Sequence, residues 1–153
     1  MFNMDNRVLK KGVYDECEKA QMKKIKHLEN AMSEAERAAH EDKNTTDMFD
    51  SHMMQLIRKR DMFAQQLEME LANLKILHRV DQTIHHDKVE FGAIVFTDVQ
   101  KVFISIGLGK VIVDSDTYYA ISLKVPFFQA MDGKRIGDTF EFRGKTIKIL
   151  DIF

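Results

Sequence analysis

The segment formed by residues 41–50 carries the side chains in this chain that are best suited to chemistry. Four acids, Glu41, Asp42, Asp47 and Asp50, occur within ten residues, and Lys43 is the one basic residue among them. Magnesium is usually held by one or two protein carboxylates together with waters and substrate phosphates, so these acids could complete a metal site that belongs to a partner. The simpler interpretation is a solvated turn whose acids stabilise the N-terminus of a helix. Neither interpretation predicts a metal held by this chain alone.

Positive charge lies beside the acids in sequence. Arg37 lies just before the segment, Lys43 lies among the acids, and residues 58–60 read Arg-Lys-Arg further along. Such a stripe could contact a phosphate backbone, although charge runs on exposed helices are commonly solvated faces or intrahelical pairs. The net charge of −1 argues against a protein that coats nucleic acid. Any contact with nucleic acid should therefore be local, and another protein is the more natural partner.

Other reactive residue types give no support for an autonomous enzyme. Residues 85–87 read His-His-Asp, but adjacent histidines in an extended connector point to opposite sides, and a zinc site needs three or four converging ligands. We therefore interpret these three residues as polar residues of a linker. The sequence has no glycine-rich phosphate loop, nucleophile elbow or CxxC pair. No independently bound cofactor is predicted.

The remaining composition predicts a cytoplasmic protein. The single cysteine, Cys17, lies in a helical pattern and is expected to be a small core residue in a reducing compartment. No stretch approaches the roughly 20 apolar residues of a membrane helix, and the N-terminus has no secretory apolar core. We expect no membrane contact.

The elements that position these residues differ between the two halves of the chain. Residues 1–80 hold nine of the ten methionines, and residues 81–153 hold ten of the fourteen aromatic residues and six of the seven glycines. This shift in composition predicts a helical domain over 1–80 and a β-rich domain over 81–153.

The first half has the periodicity of two amphipathic helices. Apolar residues recur at steps of three and four, with one polar residue in the first stripe and one in the second. The stripes are Cys17, Gln21, Ile25, Leu28, Met32, Ala35, Ala39 and then Phe49, Met53, Leu56, Arg60, Phe63, Leu67, Leu71, Leu74.

The polar break between the stripes predicts an antiparallel hairpin, or coiled coil. Asn44, Thr45 or Thr46 could cap the second helix. A short loop forces neighbouring helices antiparallel, and arms of about 35 residues would be about 50 Å long at 1.5 Å per residue. Because two helices leave little room for an internal site, any chemistry is expected at the tip.

The second half predicts a small, mostly antiparallel sheet with one short helix, giving an α+β fold. Pro126 suits the first position of that helix and Gly133 its end, while Gly144-Lys145 suggests a two-residue hairpin turn. The predicted strands are 89–96, 102–106, 110–113, 118–123, 139–143 and 146–152. Adjacent Phe127 and Phe128 on so short a helix could both close the core, or one could be exposed for a partner.

In this arrangement three segments resemble the Gre family of bacterial transcription elongation and transcript-cleavage factors. Val89-Glu90-Phe91-Gly92-Ala93-Ile94-Val95 is similar to the family's V-x-F-G-A-x-V, and residues 121–134, ISLKVPFFQAMDGK, are similar to its I-S-x-x-S-P-I-x-x-A-L-x-G-K. The closing Gly137-Asp138 and residues 147–152 look like its G-D … Y-x-I-x-x-I. The resemblance covers nearly the whole chain.

The resemblance implies a fold and a mechanism. The β domain would be FKBP-like and would dock at the secondary channel of bacterial RNA polymerase through Ser122, Pro126, Phe127 and Phe128. The hairpin would enter that channel, so that tip carboxylates help to retain a magnesium ion shared with the polymerase, which itself hydrolyses backtracked RNA. The chain would then be a monomeric cofactor protein rather than an enzyme, with Arg37 and Lys43 near the nascent RNA.

The tip departs from the family pattern G-D-L-x-E-N-x-E-Y. Asp42 matches the first acid and Phe49 stands in place of the tyrosine, but the second acid falls on Thr45. Asp47 could substitute from nearby, so Asp42 and Asp47 are the predicted catalytic and metal-retaining acids. A cleavage-deficient competitor for the same channel, and a coiled-coil adaptor unrelated to transcription, are the alternatives.

Overall fold

A computed structural model describes residues 4–41 and 47–153, with the side chains of 4–41 and 51–153. These residues form three helices and six strands. The helices are α1 (Met4–Glu41), α2 (Asp47–Leu77) and α3 (Pro126–Met131), and the strands are β1 (Ile94–Thr97), β2 (Lys101–Ile104), β3 (Gly109–Val113), β4 (Asp116–Ile121), β5 (Thr139–Phe142) and β6 (Lys145–Ile152). The predicted α+β class is confirmed. None of the described helices is long and apolar enough to cross a lipid bilayer.

The packing divides the chain into two compact units. The hairpin unit is Gln21–Leu74, and the β unit combines Met1–Ala20 with Lys75–Phe153. This division differs from the predicted boundary between residues 80 and 81. The physical reason is that Val13, Cys17 and Leu77, near the ends of the two long helices, are fully buried in the same cluster as the sheet residues Ile94 and Phe103.

Within the hairpin unit the two arms are antiparallel, as predicted. Gln21, at the start of the first arm of this unit, contacts Glu70 near the end of the second arm. The first stripe is confirmed, since Cys17, Gln21, Ile25, Leu28 and Ala35 are buried and Met32 and Ala39 are partly buried.

The second stripe is wrong at one position. Leu71 is exposed, and its neighbour Glu70 faces the other arm. Gln21 Nε2 donates to the Glu70 carbonyl at 2.8 Å and to its carboxylate at 2.7 Å, while Lys24 Nζ lies 3.3 Å from that carboxylate. Because this polar contact orients α2, Leu71 turns towards solvent.

The β unit is built on a six-stranded sheet in the order β3-β4-β2-β1-β6-β5. Its pairs are antiparallel except for β2 with β4, which run parallel. Alternating side chains separate two cores, one against the ends of α1 and α2 and one against α3. Pro126 begins α3, and Gly133 adopts a φ of +75° just after its end, as predicted.

Two local predictions in the β unit are wrong. The strand predicted to begin at residue 89 begins at Ile94, because Gly92 turns the chain with a φ of +91° and Val89 instead bonds the carbonyl of Lys134 and the N–H of Gly133. The β5–β6 turn is Arg143-Gly144 rather than Gly144-Lys145. Phe142 pairs with Lys145, and the two turn residues have φ values of +51° and +78°, as a type I′ turn requires.

Candidate functional site

The described end of the first arm carries an exposed ion network next to the predicted tip. The Arg37 guanidinium lies 3.9 Å from Glu34 and 3.8 Å from Glu41, at the i,i+3 and i,i+4 spacings of a helix face. Solvated pairs of this kind contribute little to stability, roughly 0.3–0.5 kcal/mol. Arg37 therefore lies beside two carboxylates of its own arm, and a contact with RNA would have only these weak pairs to replace.

The predicted tip residues themselves lie outside the described residues. This holds for Asp42, Lys43 and the three capping candidates at 44–46, whereas Asp47 begins α2 but its side chain is not described. In the parts of the chain that are described, no three His, Cys, Asp or Glu side chains converge as metal ligands. A magnesium site at the tip consequently stays a prediction that rests on Asp42 and Asp47.

The basic stripe further along α2 is only partly a solvated face. Arg58 and Lys59 are exposed, and the ammonium group of Lys59 lies 6.0 Å from the Phe63 ring. Arg60 is half-buried, bonds Asp61 at 2.9 Å, and lines a crevice of about 170 Å³ with Ala39, His40 and Met53. The residue that interrupts the apolar stripe thus packs its stem between the two arms.

The predicted docking segment forms a defined turn between β4 and α3. The Ser122 hydroxyl accepts a hydrogen bond from the Lys124 N–H at 3.3 Å, and the Gln129 amide donates to the Lys124 carbonyl at 3.4 Å. Leu123, at 44% exposure, and Pro126 project from this turn into solvent. Two apolar side chains are therefore exposed at this turn.

Phe127 and Phe128 are not part of that exposed surface. They are 8% and 5% exposed, and both belong to the core beneath α3. The Phe127 ring lies edge-on to Phe140 at 5.5 Å and to Phe142 at 5.1 Å. The interpretation in which both rings close the core is confirmed, and the alternative with one ring exposed is wrong, because the short helix has a large sheet face to cover.

A further apolar surface lies on the sheet. On β4, Thr117 and Tyr119 are two residues apart, so their side chains point to the same face of the sheet. Ile112, on the edge strand β3, pairs with Thr117 and therefore points to that face as well. Ile112 is 57% exposed and Tyr119 37% exposed. These two residues form an exposed apolar patch that the sequence prediction did not include. The alternation of buried and exposed residues along β4 could have indicated it.

The sequence prediction also missed a buried polar cluster in the β unit. Lys10 is fully buried, and its ammonium group donates to the Ile84 carbonyl at 2.9 Å. Burial lowers the pKa of Lys10 to about 8, although the nearby carboxylates of Asp81 and Glu90 oppose the shift. A charged side chain is held inside this unit at an electrostatic cost.

The two histidines of the connector, interpreted above as polar linker residues, have defined partners in the structure. His86 is buried beside Gly92, and its Nδ1 lies 2.8 Å from the Glu90 carboxylate. Burial lowers the pKa of His86, and the hydrogen bond to Glu90 opposes that shift. His85 instead lies 3.4 Å from Asp87. The two rings therefore have different carboxylate partners, Glu90 for His86 and Asp87 for His85.

One pattern in the sequence could have indicated that Lys10 is buried. The apolar stripe of α1, extended backwards from Cys17 by one heptad, passes Val13 and reaches Lys10. Lysines are usually exposed, so the residue type alone does not indicate burial at this position.

Comparison with known proteins gives a likeness in the solved structures alone. No model of a known protein family matches the chain, and no curated protein matches it. A crystal structure of GreA factor homolog 1 (Gfh1) of Thermus thermophilus is similar at 18% identity over 94% of this chain and 96% of that one, with a TM-score of 0.33. A structure described as the transcription factor Gfh1 is similar at 17% identity over 93% and 94% of the two chains, with a TM-score of 0.33. A similarity at this level carries no argument about function.

Proposed function

We propose that this chain is a Gre-type transcription elongation factor that acts in the bacterial cytoplasm, binding RNA polymerase and modulating elongation. The observation that carries the proposal is that one chain contains both a two-helix hairpin and a Gre-like β unit. A hairpin only two helices across ends in an acid-bearing segment, and the same chain holds a β unit whose core is made from the Gre-like segments.

The Gre-like segments pack together. Val89, Ala93 and Val95 of the first, Phe127, Phe128 and Met131 of the second, and Ile147, Ile149 and Ile152 of the third belong to one buried cluster. Residues that are distant in sequence but matched to one family's pattern therefore meet in a single core. This supports a resemblance in fold rather than three chance matches.

The hairpin suits a role at the far end of a narrow channel. Its buried residues between 21 and 74 are few, and its arms present polar and exposed side chains on the remaining surface. In this proposal the β unit docks at the rim of the polymerase's secondary channel through the Ser122–Pro126 turn, and the hairpin reaches inward. Asp42 and Asp47 would help to hold a magnesium ion that the polymerase supplies for its own RNA hydrolysis.

The test measures binding to core RNA polymerase with variants of exposed residues. Leu123→Glu combined with Pro126→Glu should weaken binding about tenfold or more, because interface centres tolerate buried charge poorly. Leu150→Glu is the matched control, since Leu150 is 52% exposed in the same unit but lies on β6. Phe127 is avoided because a charge in the core would unfold the unit. Equal binding by the double variant and the control would contradict the docking surface.

Experiments on the same polymerase complexes distinguish a factor that stimulates RNA cleavage from a competitor for the channel. Backtracked complexes should shorten their RNA when the chain and magnesium are added, and Asp42→Ala or Asp47→Ala should abolish the shortening while binding stays intact. Binding without shortening by the unmodified chain would identify a competitor for the channel. An absence of binding, with another protein recovered by the immobilised chain, would favour a coiled-coil adaptor unrelated to transcription.

A further inference from the structure

A concave surface of the β unit has the composition of a binding site. Its apolar walls are Val99, Phe127, Phe142 and Ile147, its rim carries Gln100, Arg143 and Lys145, and its volume is about 260 Å³. We call it the turn pocket. It shares only Phe127 with the residues predicted to dock on a polymerase, so its occupant is a separate question from the proposed function.

Two well-defined turns hold the walls of the turn pocket. The Thr97 hydroxyl accepts hydrogen bonds from the N–H groups of Val99 and Gln100 and donates to the Gln100 carbonyl at 2.7 Å. On the other side, the Arg143-Gly144 turn fixes the end of the β5–β6 hairpin. The pocket therefore exists before any ligand arrives, which lowers the entropic cost of binding.

The rim is positive and lacks an internal counter-charge. Arg143 and Lys145 are exposed, and neither forms an ion pair with a carboxylate of the described residues. Asp98, in the neighbouring loop, directs its carboxylate to the Lys148 N–H at 3.2 Å. In a chain whose net charge is −1, two such cations beside an apolar pocket favour an anionic ligand.

Size and ring geometry indicate which kind of anion fits. The volume is below the roughly 300–1,000 Å³ of drug-sized ligand sites, so the pocket suits one large side chain rather than a cofactor. Binding of single-stranded nucleic acid needs free aromatic faces for stacking. Here the Arg143 guanidinium lies 5.1 Å from the Phe142 ring centre, and Phe127 is edge-on to Phe140 and Phe142. These contacts favour a peptide over RNA.

We propose that the turn pocket binds an extended peptide segment of a partner protein in which a bulky apolar side chain is flanked by acidic ones. The apolar side chain enters between Val99, Phe142 and Ile147. The flanking carboxylates bind Arg143 and Lys145 through charge-assisted hydrogen bonds.

The test uses the full chain, isotopically labelled, and three synthetic peptides followed by nuclear magnetic resonance. The peptides are Gly-Asp-Phe-Glu-Gly, its uncharged counterpart Gly-Asn-Phe-Gln-Gly, and Gly-Asp-Ala-Glu-Gly, all with blocked ends. The first should shift the amide signals of Val99, Gln100, Phe142 and Ile147, and each of the other two should bind at least about threefold more weakly. Equal binding of all three peptides, or no shift at these residues, would overturn the proposal.

Variants distinguish binding in the turn pocket from non-specific attraction of the peptide to positive charge. Arg143→Gln with Lys145→Gln should weaken binding of the first peptide roughly threefold to tenfold, and Val99→Asp should weaken it further by repulsion. Lys148→Gln is the control, since Lys148 is exposed on the same strand but alternates to the other face. A control as weak as the double variant would contradict the assignment. Tight binding of an oligouridine probe at these residues, with none of the peptide, would also overturn it.

Discussion

The two units of this chain are stabilised in different ways. The β unit has two cores, each with twelve buried residues, one on either face of its sheet. The hairpin unit buries only Gln21, Ile25, Leu28 and Ala35 among its described side chains. A sheet covered on both faces removes far more apolar surface from water than a seam between two helices. We therefore expect the β unit to be the stable anchor and the hairpin to depend on a few contacts.

The two units also differ in the partners of their buried polar side chains. Lys10 in the β unit and Gln21 in the hairpin lie on the same helix, α1. Lys10 is a charge held by a backbone carbonyl inside a large core, whereas Gln21 is a neutral amide that joins the two arms at Glu70. Only the second contact fixes how two elements align, so its loss should affect register as well as stability.

The largest expected effect tests the contrast between the cores. Phe103→Ala, at a fully buried position of the sheet, should cost about 3–5 kcal/mol of unfolding free energy, because it removes an aromatic ring and leaves a cavity. Leu28→Ala, in the seam, should cost about 2 kcal/mol, the low end for such changes, since a two-helix seam collapses more readily. Urea denaturation gives both values.

Separate signals distinguish the units in that experiment. The three tyrosines, Tyr14, Tyr118 and Tyr119, all belong to the β unit, so their fluorescence follows its unfolding. Far-ultraviolet circular dichroism follows mainly the two long helices. Leu28→Ala should shift the dichroism transition and leave the tyrosine transition in place. If both variants move both transitions equally, the two units unfold as one and the contrast is wrong.

The next effect is the pH dependence that Lys10 gives to the β unit. Its pKa is about 8 in the folded chain and 10.5 as an ordinary lysine, so between these values the unfolded chain binds a proton that the folded chain does not. Stability contributed by this group therefore rises with pH across that window, by on the order of 3 kcal/mol in full. Denaturation of the wild type and Lys10→Met at about pH 7.5 and about pH 9.5 should show about 2 kcal/mol of relative gain for the wild type.

Cys17 provides a control of opposite sign on the same helix. Burial raises the pKa of its thiol from 9.0 to about 12, so above pH 9 the unfolded chain loses a proton that the folded chain keeps. Stability from Cys17 should fall with rising pH, and Cys17→Ala should remove that fall. A wild-type advantage over Lys10→Met that stays constant with pH would show that Lys10 is not a buried cation.

Most of this fold could be predicted from the sequence because its signals are local. The heptad stripes, Pro126, Gly133 and the alternating strands each depend on a few neighbouring residues. The failures depend on contacts between distant residues. Leu71 is exposed because Gln21 binds Glu70 forty-nine positions away. Lys10 is buried because the carbonyl of Ile84, seventy-four positions away, accepts a hydrogen bond from its ammonium group.

The candidate sites follow the same division. The exposed Ser122–Pro126 turn could be predicted from a resemblance in sequence, but the turn pocket could not. Val99, Phe127, Phe142 and Ile147 come from four elements or loops with no shared motif. Their meeting depends on the register of β5 on β6 and on the turn at Arg143, which the sequence prediction misplaced by one residue.

The smallest expected effect sharpens the comparison at Gln21. Gln21→Ala should cost about 1–2 kcal/mol in the helix transition, because the Glu70 carboxylate loses its shortest hydrogen bond and the Glu70 carbonyl loses its side-chain donor. The carboxylate keeps Lys24 at 3.3 Å and a long hydrogen bond from Asn73 at 3.5 Å. Gln21→Leu should lose less, since it restores apolar contact in the seam. It should nevertheless relax the register, because apolar seams without a polar pair align less uniquely. Spin labels on exposed Met22 and Met69, each replaced by Cys in a Cys17→Ala background, would measure a broader distance distribution in Gln21→Leu. An unchanged, narrow distribution would show that the apolar contacts alone align the arms.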